Sequence, residues 1–262
     1  MPRHFRRAGL GAVLALPLLL AACGGGSSQY NGSILSGQVL MSAGVPVYDS
    51  GVGNVCVYAL VNGQGNPLNT TVVPWSNSGT LLTNGCVPTD ANGNFSIDLS
   101  SFYGPVLIQV SAGSYTNIAT GSSTSLPNVS STNSSLQAIA DIGGGGTVTA
   151  MVTPLTTIAT VKSQALGGGL NAANYATASA DVASQFQLGS LSINAGHQSG
   201  DAYDKALRAV QEYMVNTPGS SDDPGANNLL TWNTLQLSTV QRDYSAAYTA
   251  LYGAPATPFS FH

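Results

Sequence analysis

Thr89-Asp90-Ala91-Asn92-Gly93-Asn94-Phe95-Ser96-Ile97-Asp98-Leu99 decides the fold class of the first half of the chain. It opens as turn chemistry and closes as a strand. Gly93 reaches positive φ without steric cost, and Asn92 tolerates it. Phe95, Ile97 and Leu99 then point to one side, and Asn94, Ser96 and Asp98 to the other. This period of two belongs to a half-buried strand. Upstream, Leu35, Val39 and Met41 alternate with small or polar residues and give a first strand. Residues 55–61, Val-Cys-Val-Tyr-Ala-Leu-Val, are apolar on both faces and predict a central strand covered on two sides. Asn62-Gly63 and Asn84-Gly85 mark turns. Pro105-Val106-Leu107-Ile108-Gln109-Val110 predicts the next strand, and residues 136–142 and 147–151 read as two more.

Taken together, Gly37-Gln38-Val39, residues 55–58, the Thr-Asp-x-Asn-Gly-x-Phe run from Thr89 to Phe95 and residues 106–110 resemble the carboxypeptidase-regulatory-like, or transthyretin-like, β-sandwich modules. The resemblance covers residues 33–119 and implies a Greek-key sandwich with no catalytic residue. Residues 48–54 and 60–85 are longer than the corresponding family connections.

Gly143 to Gly146 reads as a flexible break, after which the apolar period changes from two to 3.6. Thr153-Pro154 is an N-cap followed by proline at the first helical position. Leu155, Ile158 and Ala159 continue a helix that Gly167-Gly168-Gly169 ends. Asn171 caps a second helix through Tyr175, Val182 and Phe186. Asp201 opens a third, with Tyr203, Ala206, Leu207, Val210 and Met214 on one face, ended by Pro218-Gly219. A fourth runs from Asn233 to Tyr252. Short, Ala-rich helices bury little alone. They are therefore expected to pack on one another and on an outer face of the sandwich, at the doubly apolar strand 55–61. The run from Val152 to Ala159 also looks like the sandwich-to-helix junction of uncharacterised proteobacterial lipoproteins. The expected fold is α+β: a Greek-key β-sandwich at residues 33–142, followed by a small helical bundle at 143–262 packed on it.

Arg3, Arg6 and Arg7 precede an apolar run of about a dozen residues, too short to span a bilayer and suited to a signal peptide. Leu20-Ala21-Ala22-Cys23 resembles the lipobox of bacterial lipoproteins. The resemblance implies cleavage after residue 22, lipidation of Cys23 and a tether over residues 23–32. Several acyl chains hold where one holds only marginally. Gly24 stands where inner-membrane lipoproteins often carry Asp, which favours the outer membrane. The expected setting is an outer-membrane lipoprotein facing the periplasm or the cell surface.

Cleavage leaves four basic against eleven acidic residues, a net charge of −7. No basic patch survives, so nucleic acid and anionic lipid are excluded as electrostatic partners. Charged residues are 7% of the chain, so neutral Ser, Thr, Asn and Gly must dress the surface. With Cys23 acylated, Cys56 and Cys86 remain as a pair. An oxidising compartment makes them a disulfide that stabilises by roughly 2–4 kcal/mol.

Catalytic signals are weak. His197 lies in Ala195-Gly196-His197-Gln198-Ser199-Gly200 near Asp201 and Asp204, yet no Gly-x-Ser-x-Gly elbow accompanies it. It reads as an exposed loop histidine. Glu212, the sole glutamate, reads as a solvated helix position. Asp90-Ala91-Asn92-Gly93-Asn94 mimics the opening of an EF-hand loop, but Ser101 occupies the place of the closing bidentate Glu. No metal site and no cofactor are expected. Trp75 sits among hydroxyls and amides and is a candidate sugar-stacking residue, with core or edge packing as the alternative. Trp232 reads as packing. The expected role is non-enzymatic: a lipid-anchored envelope protein with a structural or protein-interaction role and an envelope protein or glycan as partner. The alternatives are a carbohydrate-binding module at Trp75 and a hydrolase with a site near His197.

Overall fold

The computed structural model describes residues 32–51, 53–60, 81–82, 86–118, 121–126, 136–216 and 237–262. Nine strands and four helices occur in order among them. The strands are β1 (Ser33–Ser42), β2 (Val45–Pro46), β3 (Val55–Ala59), β4 (Asn94–Asp98), β5 (Gly104–Val110), β6 (Ser114–Thr116), β7 (Ser123–Ser125), β8 (Leu136–Ile142) and β9 (Gly146–Val152). The helices are α1 (Pro154–Ala165), α2 (Ala172–Gln185), α3 (Ala202–Asn216) and α4 (Leu237–Tyr252). The chain is mixed α and β, with strands first and helices last.

The first sheet is built around β1. Antiparallel β4 pairs with residues 34–38, and β2 continues along the same edge. Val39 shows this: its N–H donates to Gly93 O and its carbonyl accepts from Val47. The other edge of β1 takes β9 in parallel, from Ser33↔Gly146 to Val39↔Val152. One face presents Leu35, Val39, Phe95, Ile97, Ala150 and Val152, all buried. The Phe95 ring lies over Gly37, directly opposite it; a Cβ at Gly37 would come within 2.7 Å of that ring.

The second sheet runs β3-β5-β8, all antiparallel. Register puts Val55, Val57, Val106, Ile108, Val110, Leu136 and Ala138 on one face, and all are buried. Residues from both sheets and from the helices form one continuous apolar cluster. At roughly 1.5–3 kcal/mol per fully buried large aliphatic side chain, this cluster is the main stabilising term. The pair β6-β7 is separate.

The glycine run at 143–146 is a corner, not a break between halves. It carries the chain from β8 in one sheet to β9 in the other. Gly145 and Gly146 take positive φ of 99° and 87°. Ser33 Oγ pins the corner, donating to Gly143 O and accepting from Gly145 N, each at 3.1 Å. Strand β9 therefore belongs with the sheets, and the helical region begins at Thr153 rather than at residue 143.

Thr153 and Pro154 start α1 as their chemistry dictates. Thr153 is extended, with φ −140° and ψ 170°, and closes a capping box with Thr156 in the position usually held by Glu. The first turn of α1 also serves a second element, which local pattern does not reveal. The edge of β8 away from β5 carries no strand among the described residues. There Gln137 N–H donates to Thr157 Oγ1, and Thr156 Oγ1 donates to Gln137 O, both at 2.8 Å. Two threonine hydroxyls stand in for a neighbouring strand. The network goes on: Thr157 Oγ1 donates to Thr153 O at 2.8 Å, Thr153 Oγ1 meets Tyr203 OH at 3.0 Å, and Tyr203 OH donates to Ile193 O at 2.8 Å. Every residue in this chain of contacts is at most 1% exposed. It links β8, α1, α3 and the loop before α3.

The helices therefore meet the sheets through β8 and β1. Strand β3, the expected docking strand, ends at Ala59 and is flanked instead by residues 81–82 and 86–87. Asn171 caps α2 by accepting Asn174 N–H at 2.9 Å, and Asp201 caps α3 by accepting Asp204 N–H at 2.6 Å. The fourth helix is described only from Leu237, so its expected start at Asn233 lies outside the described residues.

Thr157→Val keeps the side-chain shape and removes the hydroxyl. Gln137 N–H and Thr153 C=O then lose a buried partner. The expected cost is about 1–3 kcal/mol, read as a lower urea midpoint with an unchanged m-value.

Candidate functional site

Three of the residues singled out from sequence, Cys23, Trp75 and Trp232, lie outside the described residues. Cys56 and Cys86 are joined in a disulfide, with Cα atoms 4.4 Å apart. It holds the segment at Val87 against β3, where Val55 and Val87 exchange two main-chain hydrogen bonds of 2.9 Å. The bridge thus completes the edge of the second sheet.

Asp90 organises the hairpin turn. Its Oδ1 accepts the N–H groups of Asn92 and Asn94 at 2.8 Å, and its Oδ2 accepts Asn94 Nδ2 at 3.0 Å. The Asn94 main-chain bond leads in holding its carboxyl below the usual range. These N–H donors tie the carboxylate to the turn. No group of three or more metal-ligating side chains occurs among the described residues.

His197 is not an exposed loop residue. Its side chain is only 14% exposed and packs edge-on against the Tyr203 ring. Nδ1 lies 3.8 Å from Asp204 Oδ1 and makes no hydrogen bond. Asp204 is turned to other partners: Gly200 N–H at 2.9 Å and Arg208 Nε at 3.3 Å. A Ser-His-Asp relay needs a carboxylate-held imidazole facing a hydroxyl. The carboxylate contact that would hold the ring is not made. The cluster closes the loop onto the first turn of α3, and the α3 N-cap explains its carboxylates.

An open groove of about 690 Å³ runs along α2 and the loop after it, lined by Ser179, Ala180, Ala183, Ser190, Leu191 and Asn194, among others. No ionisable side chain lines it. A second hollow of about 250 Å³ shares Ala176 and Asn194 with it and reaches the β8-β9 strands. Buried Tyr175 donates to Asn194 Oδ1 at 2.8 Å between the two. Burial pushes the Tyr175 hydroxyl far up, so it stays a neutral donor. This surface offers hydroxyls and amides over an alanine floor. The groove along α2 can contact neutral polar matter, and the second hollow adds the Asp141 carboxylate.

The segment after α4 is a feature that the sequence pattern does not announce. Residues 253–262 run back over the helices, with Phe259 and Phe261 buried at 3% and 7% exposure. Their rings stack in a cluster with Phe186, Tyr244 and Tyr248 at centroid distances near 5 Å. The one available signal is the alternation of Phe259 and Phe261 about Ser260. Beside it, Asp181 binds Lys162 Nζ at 2.6 Å and His262 Nε2 at 3.2 Å. Partial burial opposes ionisation of Asp181, but the Lys162 and Gln185 hydrogen bonds and the electrostatic pull of Lys162 and His262 more than offset it. Its carboxyl is held below the usual value.

Comparison with family models, curated proteins and solved structures returned no match.

Two outcomes are expected. Replacing both Cys56 and Cys86 by Ser should lower the unfolding free energy by about 2–4 kcal/mol, measured by urea titration under oxidising conditions. The depressed Asp181 carboxyl adds stability that is fully present above its unfolded value of about 3.9 and is lost as pH falls through the folded value. Asp181→Asn should therefore flatten the acid limb of the stability–pH curve; an unchanged slope would show that the ion cluster adds nothing.

Proposed function

We propose that this chain is a non-catalytic, lipid-anchored protein of the cell envelope. Its β-rich part would be a Greek-key, transthyretin-like sandwich, and its helical layer a surface for an envelope partner. The Cys56–Cys86 disulfide carries the reading. A structural disulfide belongs to an oxidising compartment, and Leu20-Ala21-Ala22-Cys23 behind a basic and apolar leader supplies a route to one. No described helix is long and apolar enough to cross a membrane, so lipid on Cys23 is the anchor this reading invokes. Two sheets sharing one apolar cluster support the sandwich; the parallel β1-β9 pair is an addition to the usual antiparallel Greek key. The uncharged groove along α2 and the unformed relay at His197 favour contact over chemistry. The outer membrane is the proposed destination, on the strength of Gly24.

Metabolic labelling with an alkyne palmitate in a Gram-negative host tests this. The full chain should carry label and sediment with outer membranes. Cys23→Ala should lose the label. Absence of label from the unaltered chain would refute lipid anchoring.

A further inference from the structure

The segment after α4 is seated like a bound peptide. No strand or helix is assigned within residues 253–262. Only Phe259 and Phe261 are buried in it; most of the rest, including Ser260 between them, faces solvent. Side chains of other elements read its main chain. Gln187 Nε2 donates to the carbonyl oxygens of Thr257 and Pro258 at 2.9 and 3.3 Å. Gln241 Oε1 accepts the Phe261 N–H at 2.9 Å. Lys162 Nζ and Gln185 Nε2 donate to His262 O at 2.6 and 3.2 Å. The His262 imidazole, mostly exposed, reaches Asp181.

Phe259 and Phe261 drop side by side onto Tyr244, with centroids 4.8 and 5.4 Å from its ring and 6.3 Å from each other. Aromatic knobs at alternate positions, amide arms on the main chain and a carboxylate at the end are the parts of an extended-peptide site. The Tyr244 hydroxyl is buried there without a partner. The connection to α4 starts at Gly253, at φ 81°, and runs largely exposed through Pro255 and Pro258. A segment held by two rings and side-chain bonds opens at lower cost than the helices beneath it.

We propose that residues 253–262 are a releasable strap. The trough beneath, formed by α1, α2 and α4, is a docking site for an extended segment of a partner protein. That segment carries aromatic residues two apart, followed by a side chain that donates to Asp181. The strap shows the chemistry that fits, and its presence makes docking competitive. This deepens the interaction role proposed above and rests on it.

The test is fluorescence anisotropy with a labelled peptide of residues 254–262 and two full-length chains. One is unaltered; the other carries Phe259→Ser with Phe261→Ser, which vacates the trough. The peptide should bind the double variant at least tenfold more tightly than the unaltered chain. The same peptide with both Phe replaced by Ser should bind neither. Equal affinity for the two chains, or no binding to a folded variant, overturns the proposal. Should the variant misfold, hydrogen exchange on the unaltered chain decides. The Phe261 amide should exchange at least tenfold faster than the slowest amides of α1; equal rates overturn a releasable strap. Light scattering should give a monomer mass at high concentration. A dimer dissolved by the peptide would assign the trough to a second copy and overturn the partner assignment. None of these readouts depends on palmitate labelling, so failure of the anchor and failure of the strap are distinguishable.

Discussion

A buried sheet edge must find hydrogen-bond partners or forfeit stability. Here the partners are the hydroxyls of Thr156 and Thr157 in the first turn of α1, which take both main-chain groups of Gln137. Threonine suits this task because one oxygen both donates and accepts. Thr157 accepts from the strand and donates to Thr153 within its own helix turn. Thr156 accepts from Thr153 N–H and donates to the strand. The same two residues thus finish a sheet and start a helix. Pro154 fits beside them because its missing N–H would have had no helical partner. With Tyr203 extending the network to α3, the helices become part of the same cooperative unit as the sheets, and residues 32 onward cluster as one compact body.

How much of this can be read from the sequence depends on how local each cause is. The turn at Asp90 and Gly93, strands β1, β4 and β5, and the caps at Thr153, Asn171 and Asp201 depend on neighbours a few residues away. All are legible. The corner at residues 143–146 reads as a break because a glycine run has one composition whether it is a linker or a tight crossover. What separates the two is Ser33, more than a hundred residues earlier, and the parallel partner β1. Docking at β3 is misplaced for a similar reason. Apolarity on two faces shows that a strand is covered, not by what. Thr156 and Thr157 spell an N-terminal helix turn, but nothing local says that Gln137 needs them.

The candidate sites divide the same way. The pairing of Cys56 with Cys86 comes from counting, because so few thiols are present. His197 reads as solvent-facing because its loop is rich in glycine and serine; the buried ring of Tyr203 six residues on draws it inward. The seat of residues 253–262 is illegible because the side chains that bond its main chain come from α1, from the end of α2 and the residues just after it, seventy to a hundred residues earlier, and from α4. A surface with so few charges leaves recognition to aromatic rings, amides and hydroxyls. The groove along α2 is lined by amides and hydroxyls, and the trough under the strap joins rings and amides to the Asp181–Lys162 ion pair.

The central claim is that sheets and helices form one unit through the Gln137 edge. Equilibrium urea unfolding of the full chain, observed at once by far-ultraviolet circular dichroism at about 222 nm and by tyrosine fluorescence, addresses it directly. A single transition with coincident midpoints is predicted. Two separated transitions, with helix signal lost while the sheets stay folded, would contradict it.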